Sequence, residues 1–540
     1  MTLAGLLIAS SVALPLLMAL ACLSQAFRDR AAGWLVVAPL PALLAALMAR
    51  GGSIVVAPAP LRLTLALDDV GAMLLGGAAL LWAAAGAYAA SYMRGQAGLG
   101  RFAVWWLLTL TGSLGTFVVA DMTSFYLAFS VASLAAYGLV SFEGSVRAQR
   151  AGRVYMALAL LGEAFILLGF VMLAIGAPPG NPSIAEAVRL FAATPLRDPA
   201  LALLILGFGL KMGLVPLHVW MPLAHPVAPM PASAVLSGII VKAGVIGLIR
   251  FLPLDVALPG WGTALVGIGL FTAFYAVAVG VTQTQVKTVL AYSTVSQMGV
   301  VAAVLGAGLM TAAPGTALLA GFYALHHLLA KGALFLGVGV VMATGPRYRL
   351  PVLAVMALLA LSLAGLPLTS GALAKYAVKP LFGDGSAKML ATLSAAGSTV
   401  LMLHFLRLLG GSAKPGADAP KPGIVWPWAI VALAAFAGPW AVFGAATGLP
   451  LTASLGAKAL WAALWPIWLG AAIWAGLRFV RLPEIPEGDV VVLADRLAPM
   501  ASRAGAVLEQ ADGGLRRWPV ASTMLAVLAL ALSILLWPEM

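Results

Sequence analysis

Long apolar runs recur along the whole chain, separated by short polar segments. A helix that crosses a bilayer core of about 30 Å needs roughly 20 apolar residues. The runs predict about sixteen spans, with approximate cores at 2–25, 32–50, 70–91, 103–120, 122–142, 153–175, 200–220, 230–251, 260–282, 288–308, 314–343, 352–380, 386–410, 425–447, 456–479 and 519–537. No soluble domain fits between them. The pattern therefore predicts an all-α polytopic membrane protein with about 14–16 transmembrane helices.

The composition supports the same class of protein. Hydrophobic residues make up 62% of the chain and charged residues only 9%, whereas a soluble domain has about 25% charged residues. The net charge of +13 is not arranged as a basic face with interleaved aromatics, so we expect no nucleic-acid partner. Cys22 is the one cysteine, and disulfides, zinc sites and iron–sulfur clusters therefore cannot be built within this chain. We expect no cofactor in it.

Basic residues are concentrated in alternate loops. They follow the odd-numbered spans, at Arg28, Arg30, Arg94, Arg101, Arg147, Arg150, Arg153, Lys287, Arg347, Arg349, Lys414, Lys421, Arg478 and Arg481. Loops rich in lysine and arginine tend to stay on the cytoplasmic side of a membrane. The distribution predicts an N-terminus outside and, after an even number of spans, a C-terminus outside as well. We expect the protein in the inner membrane of a bacterium.

Four lysines lie inside the apolar runs, at Lys211, Lys242, Lys331 and Lys375. A charge at the bilayer centre costs at least about 2.5–3.5 kcal/mol, so such residues indicate function. Snorkelling from a helix end accounts for one of them but not for four, because each has apolar residues on both sides. Lysine suits proton transfer, since burial favours its neutral form and a nearby carboxylate favours its charged form. Arginine stays protonated and cannot alternate in this way.

Acids and imidazoles are the next candidates. Glu163 is the one carboxylate placed clearly deep within a span, where its alternative role is helix packing. All five histidines lie within or beside spans, at His218, His225, His326, His327 and His404. Imidazole relays protons well near neutral pH. His327 lies four residues before Lys331 and so shares its helix face. For His218 and His225, which flank Pro222, a solvated loop is the alternative.

Two of the lysine-bearing runs contain a predicted helix break. Pro216 follows Lys211, and Pro367 precedes Lys375. Membrane helices tolerate such breaks where they line a wet cavity, and two interrupted spans in corresponding positions indicate an inverted repeat. We pair roughly 103–251 with 260–410. The predicted regions are helices 1–3 at 1–100, the two repeats at 101–255 and 256–412, and C-terminal helices at 413–540, which include a polar, partly amphipathic connector at 482–517.

Five segments of the chain carry a family resemblance, in chain order SYMRG, GLKMGLVPLHVWMPLAHPVAPMPASAVLSGIIVKAGVIGLIRF, QTQVKTVLAYSTVSQMG, HHLLAKGALFL and GLPLTSGALAK. Over about residues 60–410 the chain resembles one family, the antiporter-like subunits of respiratory complex I, membrane-bound hydrogenases and Mrp cation/proton antiporters. It implies two inverted five-helix repeats, each with a broken helix, among fourteen core helices. It also implies a row of charged residues along the membrane midplane.

The resemblance assigns roles to these positions. Lys211 corresponds to the centre of the family's input half-channel and Lys242 to the connecting residue of the eighth helix. His327 and Lys331 correspond to the relay of the eleventh helix, and Lys375 to the exit residue of the twelfth. Lysine at both 242 and 375 is most similar to the Mrp D-type and hydrogenase-4 B-type members.

The chain departs from the family in its fifth helix. The family usually has a glutamate there, whereas this chain has Ser130. Serine cannot hold the charge that tunes the lysine, so we hypothesise that Glu163 is the partner of Lys211. Ser130, His218, His326 and His404 remain candidate relay groups beside the six proton-transfer residues, which are Lys211, Glu163, Lys242, His327, Lys331 and Lys375.

These features predict a proton-translocating membrane subunit of a redox-driven complex, similar to NADH:quinone oxidoreductase or to a membrane-bound hydrogenase. Its expected partners are other membrane subunits and protons, and any redox chemistry would occur in those subunits. One alternative is a subunit of an Mrp-type cation/proton antiporter, which would also carry Na+. Others are a membrane partner of another energy-coupled enzyme and a structural anchor that has lost pumping.

Overall fold

The apolar runs form helices because the hydrocarbon core has no water to bond backbone N–H and C=O groups, which must pair within the segment. The computed structural model describes residues 2–57, 63–176, 181–412 and 419–492. It divides into one unit of Met1–Glu487 and a second of Gly488–Met540, of which residues 488–492 are described. The predicted span at 519–537 and most of the predicted connector at 482–517 lie outside the described residues.

The helices follow one another through short connections. In chain order they are α1 (Leu3–Ala21), α2 (Gln25–Arg28), α3 (Ala31–Trp34), α4 (Leu40–Met48), α5 (Asp69–Tyr92), α6 (Leu99–Val118), α7 (Met122–Val140), α8 (Val146–Ile175), α9 (Ile184–Phe191), α10 (Arg197–Met212), α11 (Trp220–Val227), α12 (Met230–Val235), α13 (Val241–Phe251), α14 (Pro259–Gly280), α15 (Val286–Thr311), α16 (Thr316–Met342), α17 (Pro346–Ala364), α18 (Ser370–Val378), α19 (Ser386–Gly411), α20 (Pro422–Thr447) and α21 (Ala457–Leu477). A π-helical turn at Leu236–Ile240 joins α12 to α13, and short 3₁₀ turns lie at Lys379–Phe382 and Leu451–Ser454.

The all-α membrane fold is confirmed. Within the described residues, twelve helices are long and apolar enough to cross a membrane. Helix α6, the pair α3–α4 and the pair α10–α11 occupy three more of the predicted spans. The second predicted span, 32–50, is not one continuous helix, since residues 35–39 form a turn between α3 and α4. Pro39 and Pro41 explain this, because proline lacks the N–H that an inner helical turn requires.

Two groups of five helical segments correspond to the predicted repeats. The first consists of α6, α7, α8, the interrupted pair α10–α11, and α12–α13, and the second of α14, α15, α16, the interrupted pair α17–α18, and α19. The fourth segment of each group is the broken one. The boundaries at 100, 255 and 412 remain a prediction.

Three helical segments form the centre of the bundle. In α12–α13 and α15, every residue of the apolar membrane-spanning stretch is buried within the protein. The buried share of that stretch is 94% in α16 but only 17% in α21. Close glycine contacts bring α14 against α15, where Gly262 faces Gly306 and Gly269 faces Gly299. Small residues allow such close approach in membranes. The residues on α12–α13, α15 and α16 are therefore shielded from lipid.

One end of the bundle carries a small hairpin that the helical pattern did not predict. Strand β1 (Ser53–Val55) pairs antiparallel with β2 (Thr64–Ala66). The Asp121 carboxylate fixes this end by accepting hydrogen bonds from the N–H groups of Thr64 (2.7 Å) and Ser124 (2.8 Å) and from the Asn181 amide (2.7 Å). Asp121 is also the N-cap residue of α7.

Candidate functional site

The first helix break lies directly after Lys211. Helix α10 ends at Met212, and Gly213 adopts the left-handed conformation (φ 82°) that terminates it. The chain then passes through Pro216 in a non-helical stretch before α11 begins at Trp220. The Trp220 indole N–H donates to the carbonyl of Leu210 (3.0 Å), which satisfies a backbone group at the end of α10. Lys211 therefore sits in the last turn of a helix end inside the protein.

Hydroxyl groups and aromatic rings surround the Lys211 ammonium. It donates to the Ser133 hydroxyl (2.5 Å) and the Tyr155 hydroxyl (3.1 Å). It also lies 5.6 Å from the ring centre of Phe129 and 5.3 Å from that of Tyr155, which is within cation–π range. Lys211 is 3% exposed, so these groups replace water around the charge.

Glu163, the hypothesised partner, lies within electrostatic range of this lysine. Its buried carboxylate is close enough to Lys211 for electrostatic attraction and faces the hydroxyls of Ser130 and Ser133. The Ser133 hydroxyl faces the Glu163 carboxylate and also bonds the Lys211 ammonium, so it links the two charged groups. Oxygen Oε1 of Glu163 has no hydrogen-bond partner. A buried carboxylate without its full set of partners is costly when charged, so Glu163 is suited to accept a proton.

Lys242 bonds directly to a histidine. Its ammonium contacts Nδ1 of His327 (2.5 Å) and donates to the carbonyl of Ser237 (3.1 Å). Ser237 belongs to the π-helical turn Leu236–Ile240, and such turns occur frequently at functional sites. Both Lys242 and His327 are fully buried. Nε2 of His327 has no partner and remains available for a further proton contact.

Lys331 joins the same network from the next turn of α16. Its ammonium donates to the carbonyl of Leu290 (2.8 Å), which also accepts from the Thr294 hydroxyl (3.1 Å). Thr294 in turn contacts the hydroxyl of Ser237 (2.7 Å). Lys331 and Lys242 lie close enough to repel each other electrostatically. This repulsion disfavours two charged ammonium groups at the same time in a low-dielectric interior.

The second helix break lies beside His326. Helix α17 ends at Ala364 and is capped by Gly365 (φ 105°), the chain passes through Pro367, and α18 begins at Ser370. Nδ1 of His326 contacts the Ser370 hydroxyl (3.1 Å), whereas Nε2 has no partner. His326 and His327 thus face different groups, and α16 connects Lys242 to the second break.

Lys375 forms the last member of the row. Its ammonium donates to the Tyr323 hydroxyl (3.3 Å), Tyr323 donates to Gln297 Oε1 (2.7 Å), and the Gln297 amide donates to Ser398 (2.8 Å). Lys375 also lines a cavity of about 80 Å³, together with Lys379 and the break at Pro367. This lysine therefore lies between the buried network and an accessible space.

Three histidines fall outside the direct lysine contacts. His218 and His225 are both 0% exposed, so neither lies in a solvated loop. His218 lies in the first break beside the rings of Tyr275 and Tyr292. His404 contacts the carbonyl of Gln283 (2.7 Å) and Arg407 (3.1 Å) at the end of the bundle that holds the connection between α14 and α15. The structure does not bring His404 to the lysines.

His225 lies between Lys331 and a lysine that the sequence assigned only to a basic loop. Its ring stacks on Phe335 (4.8 Å between ring centres), and neither ring nitrogen has a hydrogen-bond partner. Both Lys331 and Lys287 lie within electrostatic range of it. The Lys287 ammonium donates to the carbonyl of Ala228 (2.5 Å) near the start of α15. His225 and Lys287 therefore extend the set of buried basic groups from Lys331 towards the start of α15.

Sequence reasoning also missed the neutral groups that connect the lysines. Ser133, Tyr155, Thr294, Tyr323 and Gln297 bond the ammonium groups or their partners. The available signal was that each is a polar residue inside an apolar run. Among the described residues no cluster of histidine, cysteine or carboxylate side chains is placed to hold a metal ion. The arrangement is a set of basic groups inside the bundle, each bonded to hydroxyl, imidazole or carbonyl groups.

A membrane-embedded helical bundle with buried lysines beside two broken helices is typical of ion-translocating proteins, in which intramembrane charges mark the ion path. The comparison with known families defines the protein more closely. Residues 119–402 match the family described as NADH:quinone oxidoreductase/Mrp antiporter, transmembrane. The match covers more than half of the chain, and the protein belongs to this family.

Individual relatives agree with this assignment. The chain is 31% identical to hydrogenase-4 component B of Escherichia coli K12 over 294 residues, which cover 52% of this chain and 44% of that protein. It is 30% identical to NADH-quinone oxidoreductase subunit N of Desulforudis audaxviator, over 68% of this chain and 76% of that protein. Its fold resembles a chain in the Mrp complex of Dietzia sp. DQ12-45-1b, with a TM-score of 0.76, 22% identity, and coverage of 99% of this chain and 63% of that chain. The first curated relatives are longer, and this chain spans about half of their length.

Proposed function

We propose that the chain is a proton-translocating membrane subunit of a multi-subunit, redox-driven complex. The observation that carries the proposal is the buried row of basic groups, in which Lys211 bonds Ser133, Lys242 bonds His327, and Lys375 bonds Tyr323. Idle charges at this depth are costly in a membrane protein. Retaining a row of them is explained by a proton path.

Glu163 provides the group that can switch the path. A charged carboxylate favours the protonated form of Lys211, whereas a neutral one lets burial favour the neutral lysine. A movement or protonation of Glu163, driven by a neighbouring subunit, would release a proton from Lys211. The proton would pass towards Lys242 and His327 and leave by way of Lys375.

A cation/proton antiporter subunit is the second candidate. The fold likeness to a chain of an Mrp complex favours it, because the likeness extends over 99% of this chain. The two candidates share one proton path and differ in the driving force. Redox-driven transport needs electron transfer in a partner, whereas antiport needs a gradient of Na+ or another cation.

The orientation in the membrane is part of the proposal. Loops predicted to be cytoplasmic contact one another, since Arg147 bonds Gln285 (3.2 Å) and Arg349 bonds the carbonyl of Gly410 (2.6 Å). Loops predicted to be outside do so as well, since Trp261 bonds Asp198 (3.0 Å). This grouping supports the predicted alternation of the loops between two sides of the membrane. The basic residues of the first set of loops are the reason for proposing that this set is cytoplasmic and that the N-terminus lies outside a bacterial inner membrane.

Purification through an affinity tag on this chain, in a mild detergent, with mass spectrometry of the co-purifying proteins, tests the proposal. Subunits with iron–sulfur clusters or flavin are expected. The purified assembly would then be reconstituted into vesicles with a pH-sensitive dye. The co-purified redox subunits would be reduced or oxidised while the dye is followed. Proton uptake that follows electron transfer supports the redox-driven function. Uptake that needs a Na+ gradient and no electron transfer supports antiport, and the absence of proton movement under both conditions contradicts both candidates.

A further inference from the structure

A groove on the bundle surface lies apart from the row of lysines. Helices α4, α5, α16 and α20 enclose about 300 Å³ of space between them. Much of its wall is made of small side chains, including Ala46, Gly76, Ala434, Gly438 and Ala445. These small residues leave the groove open, whereas larger side chains would fill the space between the helices. The proton path described above uses none of them.

The length of the groove indicates what fits it. Its lining residues extend over 69–80 on α5, 318–329 on α16 and 434–446 on α20. At about 1.5 Å per residue these stretches measure roughly 16–18 Å. This is close to half of a bilayer core of about 30 Å. A transmembrane helix of another subunit would need a groove along the full thickness, whereas an acyl chain of one leaflet needs only half.

The rim of the groove carries two opposite charges. Arg50 and Asp69 form an ion pair there and also line the groove. Their side chains are 58% and 53% exposed, so each can accept a further partner. The pair lies where α5 begins, and the lining extends from it into the bilayer. The charged rim thus lies where a phospholipid headgroup would be, and the apolar lining lies where its acyl chain would be.

We propose that this groove binds one phospholipid with a primary-amine headgroup, as in phosphatidylethanolamine. One acyl chain lies against the small residues of α5, α16 and α20. The phosphate contacts Arg50 and the ammonium group contacts Asp69. An alternating pair of charges complements a headgroup that carries both signs, whereas an anionic headgroup without an amine is repelled by Asp69. A quaternary amine has no N–H to donate to the carboxylate.

Binding of defined lipids to the purified, delipidated protein, with its co-purifying subunits, tests the proposal. Palmitoyl-oleoyl phosphatidylethanolamine, phosphatidylcholine and phosphatidylglycerol are added separately, and bound lipid is counted by native mass spectrometry. Thermal unfolding is followed in parallel, because a lipid that binds the folded state raises the unfolding temperature. Phosphatidylethanolamine is expected to bind about tenfold more tightly than the other two, as for one charge-assisted hydrogen bond.

Matched variants separate the chain contacts from the headgroup contacts. Gly438→Leu fills the groove, since a Cβ there meets only Leu329 (3.3 Å), and it should abolish the tightly bound lipid. Gly267→Leu is its control, because Gly267 is exposed on α14 with nothing within 4 Å of a Cβ. Asp69→Asn should remove the headgroup preference and keep chain binding. Asp384→Asn is the control for this change, since it also removes a carboxylate from an exposed ion pair.

The outcomes separate clearly. Loss of bound lipid in Gly438→Leu but not in Gly267→Leu, together with loss of the preference in Asp69→Asn but not in Asp384→Asn, supports the proposal. Equal binding of the three lipids by the unchanged protein overturns the headgroup assignment. Unchanged lipid binding in Gly438→Leu overturns the site itself. A partner subunit that cross-links to Ala445→Cys while no lipid binds would assign the groove to protein.

Discussion

Replacing Glu163 with glutamine is the most direct test of the proton path. Glutamine has nearly the same size and faces the same hydroxyls of Ser130 and Ser133, so the change removes a charge and little else. Unit charges 4 Å apart attract by about 4 kcal/mol at an effective permittivity of about 20. The Ser133 hydroxyl lies between the Glu163 carboxylate and the Lys211 ammonium and keeps the charges further apart. We therefore expect the attraction between them to be about 1–3 kcal/mol.

That free energy converts into a rate. A difference of about 1.4 kcal/mol is a tenfold change in proton occupancy, so Glu163→Gln should slow proton uptake about 5- to 150-fold. Uptake is measured as the initial dye response of vesicles that contain the purified complex, at a fixed turnover of the driving reaction. Glu484→Gln, an exposed loop position, makes the same chemical change and should leave the rate unchanged.

A second substitution tests the replacement of the family's glutamate. Ser130→Glu, introduced into the Glu163→Gln variant, returns a carboxylate to the fifth-helix position and should restore part of the uptake. Wild-type uptake by Glu163→Gln alone would refute the role of Glu163. Slow uptake that Ser130→Glu does not restore, in a folded protein, would show that the two positions are not interchangeable.

Three other changes follow from the geometry. His225→Phe keeps the stacking on Phe335 but removes both ring nitrogens, so uptake should fall while the thermal unfolding temperature changes little; equal uptake would exclude His225 from the path. Tyr323→Phe removes the hydroxyl that bonds Lys375 (3.3 Å) and should lower the uptake rate about tenfold, the effect of one hydrogen bond to a charge; a pH-dye assay with unchanged electron transfer measures it. Arg250→Met leaves three backbone carbonyls at the end of α6 without their guanidinium donor, so the unfolding temperature should fall by several degrees, and an unchanged value would contradict this role.

Much of the fold could be predicted from the sequence because lipid imposes one rule on every span. Backbone groups in the hydrocarbon core must pair within the helix, so apolar runs translate directly into helices. The second span departed from this rule, since Pro39 and Pro41 prevent a continuous helix. The hairpin at 53–66 was missed because its strands have three residues each, too few for an alternating pattern to emerge.

The site was predictable in its charges but not in its connections. Lysines in apolar runs are conspicuous, and Glu163 could be named as a candidate partner of Lys211 because it is the carboxylate deepest within a span. Ser133, Tyr155 and Tyr323 could not be assigned, because a hydroxyl in an apolar span can equally bond its own helix backbone. Which hydroxyl bonds a lysine depends on how the helices pack together.

The two ends of the row differ in a way that bears on how the proposed proton transport would be driven. Lys211 has a carboxylate neighbour in Glu163, whereas Lys375 bonds the neutral hydroxyl of Tyr323, and no described carboxylate contacts it. A neutral phenol passes a proton without changing charge, but a carboxylate can alternate between two charge states near neutral pH when it is buried. In the proposed mechanism the switch therefore belongs at the Glu163 end, and Lys375 would respond to protons that reach it. A driving subunit should accordingly act on α8 and α10, and substitutions at Tyr323 should slow transport without uncoupling it from the driving reaction.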